Sequence, residues 1–248
     1  MTVFRETLLF QTEDRQKVPS WLVGTWRRLS IEENGEKDAT TQVYWLQTNR
    51  CFGDIRIPAE RPTVDPLRKM TAQQAAIMNQ QDGFVGITQL ENDVCHWHHA
   101  IDYRSAEAQA DTGRLYWEGD ILVEVGPNES YVEKWQRIST GTTAAMTCSD
   151  ESGWKGWLVV CGDQFVYMGN DLKRSPNREI SMGRVQQGSK PWEIQLSTLP
   201  WKEGSHLWKT EDISIDGTGQ KIIQRKADES WHWTVREQGD LPIFLTDS

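Results

Sequence analysis

Apolar and polar residues alternate along most of this chain, and the alternation constrains its fold more than any other feature. Residues 42–46 read QVYWL and residues 54–57 read DIRI, so successive side chains point to opposite faces of an extended strand. Turn residues that accept a positive φ separate such runs, at Asn34-Gly35, Glu118-Gly119-Asp120, Gly162-Asp163 and Asp216-Gly217. Short links of this kind join antiparallel neighbours, so the sequence predicts an all-β, antiparallel barrel architecture.

One segment, residues 71–80, breaks the alternation and predicts a short helix. Thr71 and Gln74 have the spacing of a capping box, good helix formers follow, and Gly83 lies just past the end. The connection before it is predicted to be irregular because it holds Pro58, Pro62 and Pro66. We expect the helix to close one end of a barrel, either as a lid over its mouth or as a plug.

The charge balance argues against several classes of partner. The chain has 36 acidic and 27 basic residues and a net charge of -9, whereas nucleic acids and anionic membrane surfaces are bound by clustered Lys and Arg. No apolar run approaches the ~18 residues that span a bilayer, and acids stand where a signal peptide has its apolar centre. The four cysteines form no CxxC pair, which indicates reduced thiols. We therefore expect a cytoplasmic protein with no nucleic-acid partner and no membrane insertion.

The chain divides into two halves that resemble each other loosely. The first half ends on residues 132–137, VEKWQR, and the second ends on residues 231–236, WHWTVR. Between the halves, residues 139–153 carry small polar side chains, which is the composition of a linker. The pattern predicts two packed barrels or half-barrels, with an N-terminal lipocalin-like domain at 1–140 that includes the helix and a smaller domain at 150–248. A single larger barrel is the alternative.

Tryptophan is unusually frequent, with 13 residues. Each brings a large apolar body and one N–H group that needs a partner, which suits barrel interiors and ligand-lined cavities. On the last predicted strand, Trp231, Trp233 and Val235 alternate with polar residues, so we expect their shared face to form the core of the second half.

Residues 22–26, LVGTW, resemble the Gly-x-Trp signature of the calycin superfamily, which includes lipocalins and fatty-acid-binding proteins. In that superfamily the tryptophan covers one end of the barrel, and a basic residue from a late strand lies across it. The resemblance implies this arrangement for Trp26, with Arg137 or Arg236 as the basic residue. It also implies that an inward arginine, Arg56 or Arg137, holds the head group of a ligand.

Three further stretches are similar in type and order to parts of a fungal casein-kinase-interacting protein family and its uncharacterised bacterial relatives. They are residues 44–49, YWLQTN, residues 133–135, EKW, and residues 156–162, GWLVVCG. This resemblance implies two non-equivalent lipocalin-like barrels in one chain. It implies no particular chemistry, because a fold carries many functions.

Three of the five histidines fall within residues 95–103, CHWHHAIDY. On a regular strand His96, His98 and Asp102 point to one face, which makes the two histidines candidate ligands for a metal such as zinc. The third ligand has to come from a neighbouring strand, and the acids that qualify are Asp54, Glu124 and Glu133. In the competing interpretation the two histidines are polar lining of a barrel or an exposed strand face, with no metal.

Asp54 and Arg56 share one face of a strand whose other face carries Ile55 and Ile57. If that polar face points inward, the arginine needs an anion, which Glu133 or the carboxylate of a bound ligand would supply. The alternative places the polar face in solvent.

Together these patterns favour a non-enzymatic barrel protein that encloses a small apolar or amphipathic ligand in its N-terminal half. The sequence has no GxSxG elbow, P-loop or HExxH motif, so we predict no catalytic residue and no cofactor. Two alternatives are a metal-dependent enzyme or metal-binding protein that uses His96 and His98, and a module with filled barrels that binds a protein partner. The side chains expected to contact a ligand are Arg56, Trp45, His96, His98, Glu133, Trp135 and Arg137.

Overall fold

The computed structural model describes residues 17–64, 70–104, 110–150, 153–169, 178–185, 191–226 and 229–237. Strands dominate this part of the chain, every pair of neighbouring strands in it is antiparallel, and it contains one α-helix. The predicted all-β, antiparallel class is therefore confirmed. The ends of the two predicted domains, residues 1–16 and 238–248, lie outside the described residues.

The first sheet closes on itself as an eight-stranded barrel with one short additional strand. Its strands are β1 (Gly24–Glu33), β2 (Glu36–Asp38), β3 (Gln42–Gln47), β4 (Cys51–Ile57), β5 (Asp82–Glu91), β6 (Val94–Asp102), β7 (Ala110–Glu118), β8 (Ile121–Val125) and β9 (Tyr131–Ser139). The strand β2 extends β1 as a hairpin, while β1 also pairs with β3 and with β9. The pairing of β1 with β9 closes the barrel and leaves no long free edge.

The second sheet also has eight strands but forms a half-barrel. Its strands are β10 (Thr143–Asp150), β11 (Gly153–Cys161), β12 (Gln164–Gly169), β13 (Glu179–Val185), β14 (Trp192–Ser197), β15 (Ile213–Ile215), β16 (Lys221–Lys226) and β17 (Glu229–Glu237). Their order is β14-β13-β12-β11-β10-β17-β16-β15, so β14 and β15 are the two edges in the described part of the chain. Short 3-10 helices occupy Pro127–Glu129, Pro200–Lys202 and Thr210–Asp212.

The helix α1 (Ala72–Met78) begins as the sequence predicts. The amide of Gln74 donates to Thr71 Oγ1 at 3.2 Å, and the amide of Thr71 donates to Gln74 Oε1 at 2.9 Å, which completes the capping box. Met78 is its one buried residue. A plug would bury a whole apolar face, so the helix does not fill a barrel end.

Three of the four predicted hairpin turns have positive φ values where they were expected. In the fourth, between β15 and β16, the positive φ of 72° falls on Gly219 and not on Gly217. Asn34 and Gly35 have φ values of 52° and 79°, and Gly119 and Gly162 have values of 60° and 59°. These residues connect β1 to β2, β7 to β8 and β11 to β12. A left-handed conformation at such positions gives a twist that matches the flanking strands, which explains why the sequence located the hairpins.

The two sheets pack against each other through the outer wall of the barrel. Ile55 and Ile57 of β4 point away from the barrel interior and join one buried cluster with Val166 and Met168 of β12. The approach is close, because a Cβ placed on Gly53 would lie 2.8 Å from Val166 Cγ1. Strand β4 is therefore buried on both faces, which is why its apolar face is not the inside of the barrel.

The segment predicted as a linker, residues 139–153, is instead largely a strand. Thr143–Asp150 forms β10, which pairs with β11 on one side and β17 on the other. Ala145 belongs to the cluster between the two sheets, whereas Ala144 and Met146 belong to the core on the opposite face of the second sheet. The prediction was wrong because small side chains also suit a central strand that is covered on both faces.

Each sheet has its own aromatic core. The inside of the barrel contains a cluster of buried residues that includes Trp26, Phe52, Trp97 and Trp135. The second core contains Phe165, Tyr167, Trp192, Trp208, Trp231 and Trp233, with Val235 packed against it. The prediction that Trp231, Trp233 and Val235 share a core-facing side is confirmed.

Candidate functional site

The inner face of β4 carries an ion pair between a buried carboxylate and a half-buried guanidinium. Arg56 Nε lies 2.8 Å from Asp54 Oδ1, and the side chains are 25 % and 4 % exposed. The Arg56 guanidinium also stacks over the Phe84 ring, 4.7 Å from its centroid. The polar face of β4 therefore points inward, and the anion that Arg56 binds is Asp54, not Glu133.

Three of the residues predicted to bind a ligand come together around one cavity inside the barrel. Arg56, Trp45 and Trp135 line it together with Phe52, Asp54, Phe84, Trp97, Asp111 and Glu124. The cavity has a volume of about 20 Å³. That space is enough for about one water molecule and far too small for an acyl chain. The interior is thus nearly filled by its own aromatic rings.

Carboxylates outnumber guanidinium groups at this cavity, since Asp54, Asp111 and Glu124 face Arg56 alone. Burial raises the pKa of Asp54 to about 6, and the charge of Arg56 limits the rise. Burial, and next the charge of Glu133, raise the pKa of Glu124 well above its usual range. A hydrogen-bond donor or a positive charge would favour the ionised form of these carboxyls, so the pocket suits groups of that kind.

Glu124 is held in place by two neighbours on the same face of the barrel. Tyr131 Oη donates to Glu124 Oε1 at 2.8 Å, and Trp135 Nε1 donates to Glu124 Oε2 at 3.1 Å. Gly113 leaves the room for this carboxyl, because a Cβ there would lie 2.8 Å from Glu124 Cγ. Both oxygens of Glu124 are thereby fixed before any ligand arrives.

Glu133 lies inside the barrel but pairs with a residue that the sequence did not single out. Its Oε1 lies 2.7 Å from Arg28 Nη1, and the side chains of Arg28 and Glu133 are 7 % and 3 % exposed. The same guanidinium binds Asp38 Oδ2 at 3.1 Å. Arg28 thus pairs with Glu133 inside the barrel and with the more exposed Asp38 of β2, which leaves Arg56 as the guanidinium at the cavity.

The histidine-rich strand β6 departs from the regular alternation that the sequence analysis assumed. The register with β5 shifts after the pair Gly86 and His99, and Val85 pairs with Ile101, so Ala100 is an extra residue. The bulge turns Asp102 to the face of His99, and His99 Nδ1 lies 2.7 Å from Asp102 Oδ1. The prediction that Asp102 shares a face with His96 and His98 was therefore wrong.

His96 and His98 lie on the outer face of β6, because Trp97 between them lines the cavity. Their ring centroids are 6.3 Å apart with an interplanar angle of 17°, and both residues are half-buried. His96 Nδ1 contacts Thr112 Oγ1 at 3.2 Å, and His98 Nε2 contacts Gln89 Oε1 at 3.4 Å. Within the described ranges, no group of three or more His, Cys, Asp or Glu side chains is arranged to hold a metal ion.

Tryptophans cover the end of the barrel at which β1 begins. The Trp26 ring stacks on Trp45 at 5.8 Å between centroids, and the centroid of the tilted Trp117 ring lies 5.9 Å from that of Trp26. Arg137 of β9 lies over Trp26, with its guanidinium carbon 5.5 Å from the ring centroid, and donates to the carbonyl of Trp21 at 2.7 Å. Arg137 thus lies over Trp26 and is not among the residues that line the cavity, where a ligand-binding role was predicted for it.

Arg236, the other residue considered for that position, belongs to β17 of the second sheet. Its Nε donates to Thr147 Oγ1 of β10 at 2.9 Å. It therefore links two strands of the second sheet, and the guanidinium that lies over Trp26 is that of Arg137.

Sequence reasoning missed four residues of the pocket, namely Phe52, Phe84, Trp97 and Asp111. Trp97 could have been predicted, because it alternates with His96 and His98 along the strand and therefore points to the opposite face. The positions of Phe52 and Phe84 follow from that of Asp54. Phe52 is two residues from Asp54 on the same strand and so shares its face, and Phe84 pairs with Asp54 on the neighbouring strand. No pattern in the sequence predicts Asp111 at the cavity, because its position depends on the register in which β7 pairs with β6.

Comparisons with known proteins support the fold and leave the family open. No family model matches the chain, and no curated protein matches it. A crystal structure of an uncharacterized protein of Saccharomyces cerevisiae, YLR301w, is similar, with a TM-score of 0.52 and 12 % sequence identity. The match covers 86 % of this chain and 97 % of the yeast chain, so the two proteins share their architecture over nearly their whole length. In the described part of the chain, no helix has the length and apolar character to cross a bilayer.

Proposed function

We propose that the first barrel binds a small amphipathic molecule at the cavity around Arg56, without catalysing a reaction. The observation that carries this proposal is the convergence of five aromatic rings with one ion pair and two further carboxyls on a single inner surface. Ligand sites typically combine apolar walls with a few placed polar groups. A barrel that needed only stability would gain more from an apolar interior, because burying charges is costly.

The size and charge of the cavity define the ligand more narrowly than the sequence did. A volume of about 20 Å³ admits a small polar group and excludes a long apolar chain. The group that enters should donate hydrogen bonds or carry positive charge, because three carboxyls face one guanidinium. Cation–π attraction to the rings of Phe84, Trp97 and Trp135 favours an ammonium group as the part of the ligand that enters.

A thermal-shift screen of small amines and other amphiphiles with the full-length protein tests this proposal. A binding compound should raise the melting temperature in a saturable way and change tryptophan fluorescence. The double variant D54N/R56M removes the ion pair as a unit and should abolish the shift, whereas R27M, on the exposed face of β1, should retain it. If no compound gives a saturable shift, or if the double variant binds as well as the wild type, the proposed site is wrong.

The nearly filled interior favours a second candidate function, a protein-interaction module. In that case the aromatic rings are only the core of a barrel whose exposed surface contacts a partner. Native mass spectrometry separates the two candidates, because a small adduct on the purified protein requires a ligand site. We do not propose a metal-dependent activity for His96 and His98, since the described residues bring no third ligand to them.

A further inference from the structure

The turn between β3 and β4 points three consecutive amides at one carboxylate from the other sheet. The amide of Asn49 donates to Glu237 Oε2 at 3.1 Å, and the amides of Arg50 and Cys51 donate to Glu237 Oε1 at 2.9 Å each. Thr48 Oγ1 adds a fourth donor to the same oxygen at 2.7 Å. Glu237 is the last residue of β17 and therefore reaches this turn from the second sheet.

The barrel itself holds the turn in this shape. The carbonyls of Asn49 and Arg50 accept hydrogen bonds from the amides of Val18 and Thr88, at 2.8 Å each. The amide of Thr48 donates to the carbonyl of Cys51 at 2.9 Å. None of these bonds involves Glu237 or any other residue of the second sheet. The side chain of Asn49 also donates to Thr143 Oγ1 of β10 at 3.2 Å, but the backbone bonds that orient the amides come from the first half of the chain.

Concave sets of successive backbone N–H groups are known anion-binding structures. Here the amide of Cys51 belongs to a fully buried residue, and Thr48 is also fully buried. Arg50 and Arg236 lie close enough for their charges to act on the Cys51 thiol, so the surroundings of the turn are locally positive. Thr48 Oγ1 also accepts from the amide of Cys51 at 2.9 Å, whereas Glu237 is the acceptor of the Asn49 amide. Loss of the carboxylate would leave the desolvation of this turn only partly compensated, which favours an anion there.

We propose that the turn Thr48–Cys51 is a carboxylate-binding site in its own right, and that Glu237 is its intramolecular ligand. The site takes a planar carboxylate, with one oxygen at the amide of Asn49 and the other at Arg50, Cys51 and the hydroxyl of Thr48. A free carboxylate occupies the same position once the side chain of Glu237 is removed. This site is separate from the cavity around Arg56 and does not depend on the ligand proposed there.

Chemical rescue of the variant E237A tests the site directly. Sodium formate, compared with sodium chloride at equal ionic strength, should raise the melting temperature of E237A by about 2–4 °C, the shift expected when roughly one net hydrogen bond is regained in a chain of this size. The wild type should show no formate-specific rise, because Glu237 fills the site. The variant E91Q, which removes an exposed carboxylate on β5, should behave like the wild type.

Amide chemical shifts identify the position of the bound formate. In a ¹⁵N correlation spectrum of E237A, the resonances of Asn49, Arg50 and Cys51 should move with formate and saturate in the millimolar range, whereas those of the wild type should not. Should E237A fail to fold, E237Q retains the side-chain length, and formate should compete with its neutral amide in the same way. Unmoved resonances for these three residues would overturn the proposal and reduce Glu237 to a contact between the sheets.

Discussion

The closed barrel and the half-barrel both bury a core, but the side chains in the two cores differ. The half-barrel buries aromatic and aliphatic side chains in its core, with Trp192, Trp208 and Trp233 at its centre. The closed barrel combines its tryptophans with the buried pairs of Arg28 with Glu133 and Arg56 with Asp54. Buried charges contribute little to stability compared with apolar packing. The second sheet also buries a carboxylate, Glu179, but its partner Lys202 is 36 % exposed, so the more deeply buried charge pairs lie in the barrel.

The largest loss of stability should come from breaking the most deeply buried charge pair of the barrel. In R28M, the carboxylate of Glu133, which is 3 % exposed, loses its guanidinium, and we expect the free energy of unfolding to fall by about 3–5 kcal/mol. Urea denaturation measures the loss. The variant R27M changes the exposed neighbour on β1 and should stay within about 0.5 kcal/mol of the wild type. Equal losses in the two variants would remove the basis for contrasting the two interiors.

The pH dependence of stability should distinguish the barrel from the half-barrel. The pKa of Asp54 is about 6 in the folded chain against 3.8 for an ordinary Asp, so between about pH 4 and 6 the folded state keeps a proton that the unfolded state loses. Stability therefore falls as the pH rises through this window, by up to about 3 kcal/mol for this group. The raised pKa of Glu124 acts in the same direction.

The variant D54N should flatten this decline relative to the wild type. Urea denaturation at pH 4, 5, 6 and 7 gives the slopes, and E91Q, which changes an exposed carboxyl, should follow the wild-type profile. A decline in D54N as steep as that of the wild type would show that the interior carboxyl does not titrate as the structure indicates.

The contact between the two sheets can be tested by a double-mutant cycle. The methyl group of G53A would lie 2.8 Å from Val166 Cγ1, so we expect a loss of about 1–3 kcal/mol from overpacking. The variant V166A alone should lose a similar amount, through the cavity that it leaves. The double variant G53A/V166A should lose less than the sum, because each change compensates for the other. Strict additivity in urea denaturation would show that the two sheets do not meet there in solution.

The smallest loss of stability is expected at the end of the barrel where Arg137 lies over Trp26. In R137Q, the exposed cation–π contact with Trp26 is lost, and the free energy of unfolding should fall by about 0.5–1 kcal/mol. Arg114 is a matched control because its guanidinium carbon lies 6.0 Å from the ring centroid of the exposed Tyr116. The loss in R114Q should be smaller, and a larger loss there would mean that Arg137 has no special role at the barrel end.

Local signals in the sequence were sufficient for much of the fold and for part of the site. Alternation along β4 placed Asp54 and Arg56 on one face, and the capping box at Thr71 located the start of the helix. Both features depend on residues within a few positions of each other. Arg56, Trp45 and Trp135, which the sequence grouped as ligand-binding residues, do line one cavity, and their binding of a ligand stays a prediction.

Features that depend on a neighbouring strand could not be read from the sequence. The bulge at Ala100 is fitted to Gly86 of β5, where a Cβ would lie 2.0 Å from the carbonyl oxygen of His98. This one extra residue moved Asp102 to the face of His99. Similarly, the small residues of β10 have linker composition in isolation and become core residues only between β11 and β17.

The wall formed by β3, β4 and β5 has aromatic and charged side chains on one surface and the hydrophobic contact with β11, β12 and β13 on the other. A molecule that widens the barrel must therefore also displace atoms in the neighbouring sheet. Binding and the local opening of that sheet become thermodynamically linked, although no ligand contact reaches it. The rate of hydrogen exchange of the β12 amides should consequently differ between the empty and the occupied barrel, although β12 belongs to a sheet packed about 10 Å away.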